Sequence, residues 1–255
     1  MRLGFLGTGE ITAAMVRGLA GQGHQILISP RNPTMAATLS AEVAGVTIAD
    51  NETVVAESDV VFLCLLARVA VDVLPGLPFR PDQTVLSVMV DVSLDRLRDL
   101  CAPARDIAIT IPLPPIAVGG CPLPVYPRSA VLEALFGARN LVLTQPSERA
   151  LNAHLGASAL CSPILAQLLT AADWLAGYTG ETVGAEAYIA AMIRCYLPAQ
   201  AAEGELAAAL QKLSTEGGLN ATLRAAMAPA LDDLRRGLDG FQTRLGLGNE
   251  GEART

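Results

Sequence analysis

Two glycines near the start of the chain constrain its fold more than any other feature. A short apolar segment, residues 2–7, is predicted to be a β-strand that ends at Gly7, and Gly9 follows two positions later. Helical spacing begins soon afterwards, over residues 13–19. Glycine adopts the backbone angles of a tight turn without steric cost and leaves room in front of the backbone. The chain is therefore predicted to begin with a strand that turns directly into a helix.

This turn has the spacing of a dinucleotide-binding fingerprint. In such turns the first glycine permits the bend, the second lets the backbone approach a pyrophosphate, and the phosphates lie at the positive end of the helix. The usual third glycine is Thr12 here, followed by Ala13, and both are small enough for close packing. We predict cofactor contacts from Gly7, Thr8, Gly9, Glu10 and Ile11. The alternative is an ordinary strand-to-helix turn that binds nothing.

The first half of the chain alternates strand and helix signals, which predicts an α/β fold with a Rossmann-type, doubly wound, mostly parallel sheet. Further strands are predicted at residues 25–29, 46–49, 59–66, 84–90, 107–111 and 140–144. Helices are predicted at residues 33–44, 51–57, 69–74 and 94–100. Residues 112–127 are rich in proline and glycine and are predicted to be a loop or an edge strand, because proline cannot donate to a central ladder.

After about residue 150 the spacing of apolar residues is helical throughout. Helices are predicted at residues 150–160, 163–176, 184–196, 199–213 and 220–245. We therefore predict a dinucleotide-binding domain over residues 1–150, an all-α domain over residues 151–246 and a flexible tail over residues 247–255.

Composition argues against several classes of function. Hydrophobic residues make up 51% of the 255 residues, so the chain can bury a sizeable core, and the net charge of −7 argues against nucleic acid as a partner. The longest apolar runs, such as residues 60–66, are far shorter than the roughly 20 residues of a membrane-spanning helix. Five scattered cysteines without a CxxC pair fit free thiols in the cytoplasm. The two histidines are far apart, so we expect no metal site.

The end of the second predicted strand indicates the type of cofactor. An NAD-binding chain places Asp or Glu there for the ribose hydroxyls, whereas this chain has no acid between Ile28 and Asn32. Arg31 and the Ser29 hydroxyl suit a 2′-phosphate instead, so we predict NADP(H), with a solvated surface arginine as the alternative. Further cofactor contacts are predicted from Asn32, Asn51, Leu65 and Leu66.

These residues together resemble the pyrroline-5-carboxylate reductase family from about Arg2 to Met227. The best-matched stretches are Leu6-Gly7-Thr8-Gly9 with Ala13 and Ala14, Ser29-Pro30-Arg31, Asp59-Val60-Val61-Phe62-Leu63, Leu86-Ser87-Val88, Ile111-Pro112 with Pro115, and Ser214-Thr215-Glu216-Gly217-Gly218. The resemblance implies an N-terminal NADPH-binding domain, a C-terminal helical domain that forms a homodimer through interleaved helices, and reduction of a cyclic imine by hydride transfer.

The chain differs from the family mainly in the positions that hold substrate. The family's Met-Pro-Asn loop reads Ile111-Pro112-Leu113 here, and its Gly-Gly-Thr-Thr loop reads Gly217-Gly218-Leu219-Asn220. Its Lys-Pro after the fourth strand reads Leu66-Ala67, its Ala-Gly after the fifth strand reads Val90-Asp91, and its Gly-Pro-Ala reads Ser162-Pro163-Ile164. Leucine in place of asparagine and threonine makes the pocket more apolar. We therefore expect a small-molecule substrate with a less polar body than pyrroline-carboxylate.

Candidate catalytic residues lie in the helical half: Asp173, Tyr178, Thr215 and Asn220, with Ser214 and Thr222 as further polar groups. Asp173 stands beside Trp174 in an apolar run, where a carboxyl group can act as an acid, or it lies on a solvated helix face. Tyr178 either reaches the cleft or packs in a core. Thr215 precedes Gly217-Gly218, whose backbone N–H groups suit a carboxylate or simply form a helix–helix turn.

Three functions fit these patterns. The first is an NADPH-dependent reductase of a C=N bond in a small molecule. The second is a reductase of the same fold that passes hydride to a deazaflavin such as coenzyme F420. The third is a dimeric NADP(H)-binding protein without a working substrate site. Fold alone does not decide between them.

Overall fold

The computed structural model describes residues 1–89, 91–197 and 205–248, and its contacts divide the chain into two compact units. The division falls after Leu155, whereas the predicted boundary lay between residues 150 and 151. Part of the helix predicted at residues 199–213 and most of the predicted tail, residues 249–255, lie outside the described residues.

The first unit is built on one eight-stranded sheet, in the order β3-β2-β1-β4-β5-β6-β7-β8. The strands are β1 (Arg2–Leu6), β2 (Gln25–Ile28), β3 (Val46–Ile48), β4 (Val60–Leu63), β5 (Thr84–Ser87), β6 (Asp106–Thr110), β7 (Pro122–Tyr126) and β8 (Leu141–Thr144). All neighbouring strands pair in parallel except β6 and β7, which pair antiparallel. The predicted doubly wound, mostly parallel sheet is therefore confirmed.

Helices cover both faces of this sheet. They are α1 (Glu10–Gly18), α2 (Pro33–Glu42), α3 (Asn51–Glu57), α4 (Ala67–Val73), α5 (Leu94–Leu100) and α6 (Ala130–Phe136). One core contains side chains of α1, α2 and α6, and the other contains side chains of α3, α4 and α5. Phe62 of β4 belongs to the first core and its neighbours Val61 and Leu63 belong to the second. Coverage on both faces explains why β4 shows no polar alternation.

Two elements of this unit differ from the prediction. Helix α6 was not predicted, and residues 122–126, assigned to a loop or an edge strand, form β7 inside the sheet between β6 and β8. Only two residue pairs join β7 to β6, and the Pro124 carbonyl accepts a hydrogen bond from Ile111 N–H at 3.2 Å. On the other side the carbonyls of Cys121 and Val125 accept from β8 and the residue after it. Pro122 and Pro124 thus face β6. The ladder between β6 and β7 is short, so few N–H groups of β7 are needed for hydrogen bonds to β6.

The helical part of the chain continues from α7, which crosses the division between the units. Its helices are α7 (Glu148–Ser158), α8 (Cys161–Thr179), α9 (Thr182–Tyr196), α10 (Glu205–Lys212), α11 (Leu219–Ala226) and α12 (Ala228–Asp239). The prediction of a single helix at residues 220–245 is wrong. Helix α11 ends before Met227, and α12 begins after it with Pro229 in its first turn. Proline has no N–H for a helix interior but fits the first turn of a new helix.

The second unit leaves much apolar surface exposed. Its small core joins α8 to α9 through Ala172, Ala185 and Ile189. Within the helical stretch Glu148–Thr179, an 18-residue window has a mean hydropathy of 1.5 and meets the length and composition of a membrane-spanning helix, and 11% of that window is buried. This stretch was not predicted from the sequence because only uninterrupted apolar runs were considered. Polar residues such as Gln167 and Thr170 divide this helix into short runs. One such helix is weak evidence for a membrane protein, because helices of soluble proteins meet the same criterion.

Candidate functional site

The glycine turn lies where the strand order of the sheet reverses. Strand β1 pairs with β2 on one side and with β4 on the other, so the chain winds outward in both directions from this point. In open α/β sheets, ligands bind in the crevice outside the carboxyl ends of the strands at such a reversal. The sequence from Gly7 to Gly9 connects the carboxyl end of β1 to α1 at this place.

Gly7 is required by the fold itself. Its φ angle is +96°, in the region that side-chain-bearing residues rarely adopt. A Cβ atom at this position would lie 2.3 Å from the backbone oxygen of Cys64, which follows β4. The turn therefore packs its backbone directly against the end of the neighbouring strand, and no larger residue fits.

Ser29 holds the same turn from the other side. Its buried hydroxyl oxygen accepts a hydrogen bond from Gly7 N–H at 2.8 Å, and the Thr8 hydroxyl donates to the Ser29 carbonyl. The Thr12 hydroxyl donates to the Gly7 carbonyl at 2.6 Å. Ser29 was predicted to bind a 2′-phosphate; the structure places its side chain, which is 1% exposed, under the turn as a positioning group.

Gly9, in contrast, is not required by any contact inside the protein. It precedes α1 with extended backbone angles that any residue adopts, and a Cβ atom there would meet nothing within 4 Å. No side chain caps α1 at this residue, so the first-turn N–H groups stay available to a ligand. Open space in front of an uncapped helix N-terminus fits the predicted pyrophosphate. Ile11 is partly buried against the core, and Glu10 is exposed in the same turn.

A crevice of about 430 Å³ lies beside this turn, at the ends of β2, β3 and β4. It is lined by Ser29, Pro30, Arg31, Asp50, Asn51, Leu65, Val69 and Val73. Arg31, Asn51 and Leu65 were predicted as cofactor contacts and share this crevice. Arg31 forms no ion pair or hydrogen bond among the described residues, so its guanidinium group is available to a ligand.

Two of the predicted contacts lie elsewhere, and one charged residue was missed. The Asn32 side chain caps α2, where its oxygen accepts from Met35 N–H at 3.1 Å, and half-exposed Leu66 precedes α4 without lining the crevice. Asp50 lines the crevice and was not predicted. Its position between β3 and α3 could have indicated this, because the carboxyl ends of neighbouring parallel strands meet at one edge of the sheet.

Cys64 lies against the turn, but its thiol is not poised for chemistry. Burial raises the pKa of this thiol to about 12, with a smaller opposing effect from its hydrogen bond to Thr12. The thiolate, which is the reactive form, is therefore scarce at neutral pH. Among the described residues, no group of three or more His, Cys, Asp or Glu side chains is arranged to hold a metal ion.

The candidate catalytic residues of α8 are exposed in this chain. Asp173 lies on the solvent side, so the apolar surroundings that an acid role requires are not formed by the described residues. Tyr178 is 78% exposed and packs against Trp174, with ring centroids 5.0 Å apart. Within this subunit the structure therefore agrees with the alternative prediction, an Asp173 on a solvated face of α8 that the described residues do not cover.

Thr215 lies in the connection between α10 and α11, and Asn220 lies in the first turn of α11. The Thr215 carbonyl accepts from Gly218 N–H at 3.0 Å, and Gly217 has a φ angle of +70°, as in a tight turn. Ser214 accepts from the Arg224 guanidinium group at 2.7 Å, and the Thr222 hydroxyl bonds back to the Gly218 carbonyl. Both predicted residues are exposed. The turn geometry is established, while its role as an anion site stays a prediction.

A comparison with known protein families agrees with a nucleotide site in the N-terminal unit. Residues 2–91 match the family described as NADP oxidoreductase, coenzyme F420-dependent, which covers the glycine turn and the whole crevice. The predicted NADP(H) cofactor is thereby confirmed at the level of the family that the N-terminal unit matches. No curated protein sequence matches the chain.

Solved structures share the fold over almost the whole chain. Pyrroline carboxylate reductase of Plasmodium falciparum with NADP bound is 13% identical with a TM-score of 0.78, over 96% of this chain and 97% of that one. The 1-pyrroline-5-carboxylate reductase of Streptococcus pyogenes is 16% identical with a TM-score of 0.74, over 95% and 98%. An imine reductase from a Pseudomonas species is 18% identical with a TM-score of 0.64, over 96% and 92%. The resemblance to pyrroline-5-carboxylate reductases is thus confirmed as a likeness of fold.

Alanine at the two glycines separates folding from ligand binding. We expect Gly7→Ala to lower the free energy of unfolding by about 2 kcal/mol or more, because the residue combines a positive φ with a backbone clash. We expect Gly9→Ala to change it by less than about 0.5 kcal/mol, yet to weaken NADPH binding on the order of tenfold. Denaturant unfolding and a fluorescence titration with NADPH measure the two effects. Unchanged NADPH affinity in folded Gly9→Ala would show that no phosphate approaches this turn.

Proposed function

We propose that this protein is an NADPH-dependent oxidoreductase that reduces the C=N bond of a small imine. Two neighbouring features support it most directly: the uncapped N-terminus of α1, and the crevice lined by Arg31, which has no partner among the described residues. Ser29, which lines the crevice and bonds to Gly7, joins the two. The match of residues 2–91 to NADP oxidoreductases supports the cofactor, and the fold shared with pyrroline carboxylate and imine reductases supports the reaction class.

In this proposal the first unit binds and orients the cofactor. The first-turn N–H groups of α1 hold the pyrophosphate, Arg31 pairs with the 2′-phosphate, and Asn51 contacts the adenosine end. When bound, the nicotinamide supplies the hydride. The protein must then supply a proton to the imine nitrogen, and Asp173 and Tyr178 are the candidate donors, with Thr215 and Asn220 as orienting groups.

We also propose that the protein is a cytoplasmic homodimer that associates through its C-terminal helices. Exposed leucines along α8, such as Leu165 and Leu169 at 60% and 51% exposure, form an apolar stripe of the kind that oligomers cover. A covering subunit would also enclose Asp173 and Tyr178, which an acid–base role needs. All five cysteines are free, which fits a reducing compartment.

A deazaflavin reductase is the second candidate. The family that residues 2–91 match is described as coenzyme F420-dependent, which favours hydride exchange between NADP(H) and a deazaflavin. An NADP(H)-binding protein without turnover remains the non-enzymatic alternative. Both share the cofactor site described above, so they differ from the leading proposal only in what accepts the hydride.

The cofactor assignment is tested with Arg31→Ala. We expect the unchanged protein to bind NADPH more tightly than NADH, and we expect the variant to lose on the order of 10- to 100-fold in NADPH affinity, because a charge-assisted bond to a phosphate is removed. NADH affinity should stay nearly constant. Arg96→Ala, an exposed arginine of α5, is the matched control. Equal affinity for both nucleotides in the unchanged protein would contradict the assignment.

The reaction class is tested by following NADPH absorbance with a panel of acceptors. We expect turnover of apolar cyclic imines with a higher kcat/KM than for pyrroline-5-carboxylate, because leucines replace polar residues in the substrate loops. Asp173→Asn and Tyr178→Phe identify the proton donor by loss of kcat. Turnover of coenzyme F420 alone would favour the second candidate. NADPH binding with no turnover of any imine, ketone or deazaflavin would favour the third.

The oligomeric state is tested by light scattering after size exclusion. We expect a dimer for the unchanged protein and a shift towards monomer for the double variant Leu165→Glu and Leu169→Glu, because two charges would be buried at the interface. Val118→Glu, at a residue of the first unit that is 74% exposed, is the control. A monomeric unchanged protein at micromolar concentration would rule out this assembly.

A further inference from the structure

The cofactor crevice contains two opposite charges that do not pair with each other. Arg31 and Asp50 are the charged residues among those that line it, and no ion pair joins them among the described residues. They meet there because Arg31 follows β2 and Asp50 follows β3, and these parallel strands are neighbours. The hydrogen bond from Ala49 N–H to the Ile28 carbonyl, at 3.1 Å, extends the ladder up to the two residues.

Asp50 carries its charge at neutral pH. One carboxylate oxygen accepts from Thr53 N–H at 2.7 Å and caps α3. This backbone hydrogen bond is the largest of the effects that lower the pKa of Asp50 below its ordinary value. Hydrogen bonds from the Thr53 side chain and the Glu52 backbone lower this pKa as well, and a carboxylate has about four acceptor positions in all. A negative charge therefore lies in the lining of the same crevice as Arg31.

We propose that Asp50 is a specificity-determining residue that opposes Arg31 and limits the preference of this protein for NADPH over NADH. The inference rests on the proposed cofactor site. Arg31 attracts a 2′-phosphate, whereas Asp50 repels it and can instead accept a hydrogen bond from the 2′-hydroxyl of NADH. NAD-binding proteins place such an acid at the end of the second strand; here the acid stands one strand further along. Cofactor choice thus depends on a balance of two fixed charges.

Asp50→Asn tests this balance because asparagine caps a helix as well as aspartate does and removes only the charge. We expect the variant to keep its melting temperature. Fluorescence titrations should show a three- to tenfold rise, on the order of a surface Coulomb term, in the ratio of NADPH affinity to NADH affinity. The rise should shrink at about 1 M salt, where charges are screened within about 3 Å. Asp50→Ser, which also caps the helix, should behave in the same way.

Glu52→Gln is the matched control, since it removes one exposed negative charge from the first turn of the same helix but outside the crevice lining. We expect it to leave the ratio within about twofold, because a charge outside the crevice is largely screened. An unchanged or lower ratio in Asp50→Asn would overturn the inference, as would an equal rise in Glu52→Gln or an equal loss of affinity for both nucleotides. If the unchanged protein binds neither nucleotide, the proposed cofactor site fails and this inference falls with it. Nucleotide binding with an unmoved ratio overturns the inference alone.

Discussion

The contact between the Gly7 backbone and the end of β4 determines how the first unit is arranged around its crevice. Because the Cys64 carbonyl lies where a Cβ atom would be, the turn after β1 can sit directly on the neighbouring strand. The hydroxyl of Ser29, which follows β2, accepts a hydrogen bond from the N–H group of Gly7. Gly7 and Ser29 thereby hold the carboxyl ends of β1, β2 and β4 next to one another. The uncapped N-terminus of α1 is held at a fixed place above them.

That arrangement divides the two glycines into different roles. Gly7 is explained by contacts within the protein, whereas nothing within the protein explains Gly9. Gly9 stands at the uncapped N-terminus of α1, where the proposed pyrophosphate would approach the backbone. The crevice carries opposite charges that follow two neighbouring strands, so in the inference above its preference for a phosphate is set by Arg31 and Asp50 together.

The sequence predicted those parts of the fold that depend on local chemistry. Helices α3 and α5 have their predicted bounds because each begins at a capping side chain, Asp50 and Ser93. Strand β7 was misassigned because the tolerance of a proline-containing strand depends on how many ladder bonds its neighbour requires, which local sequence does not show. The bond between Ser29 and Gly7 was not predicted for a similar reason, since the two residues are 22 positions apart and the bond exists only in the folded sheet.

The catalytic residues of the helical half could not be predicted from the sequence of one chain, and the reason is physical. Asp173, Trp174 and Tyr178 lie on a helix whose apolar stripe is uncovered by the described residues of this subunit. Whether a carboxyl group can hold a proton depends on the atoms that exclude water from it. The helix that carries Asp173 does not supply such atoms. Catalytic assignment and subunit association are therefore one question in this protein. A second subunit that covers the leucine stripe of α8 would enclose Asp173 and Tyr178 as well, so the proposed proton donors and the proposed dimer interface depend on the same helix.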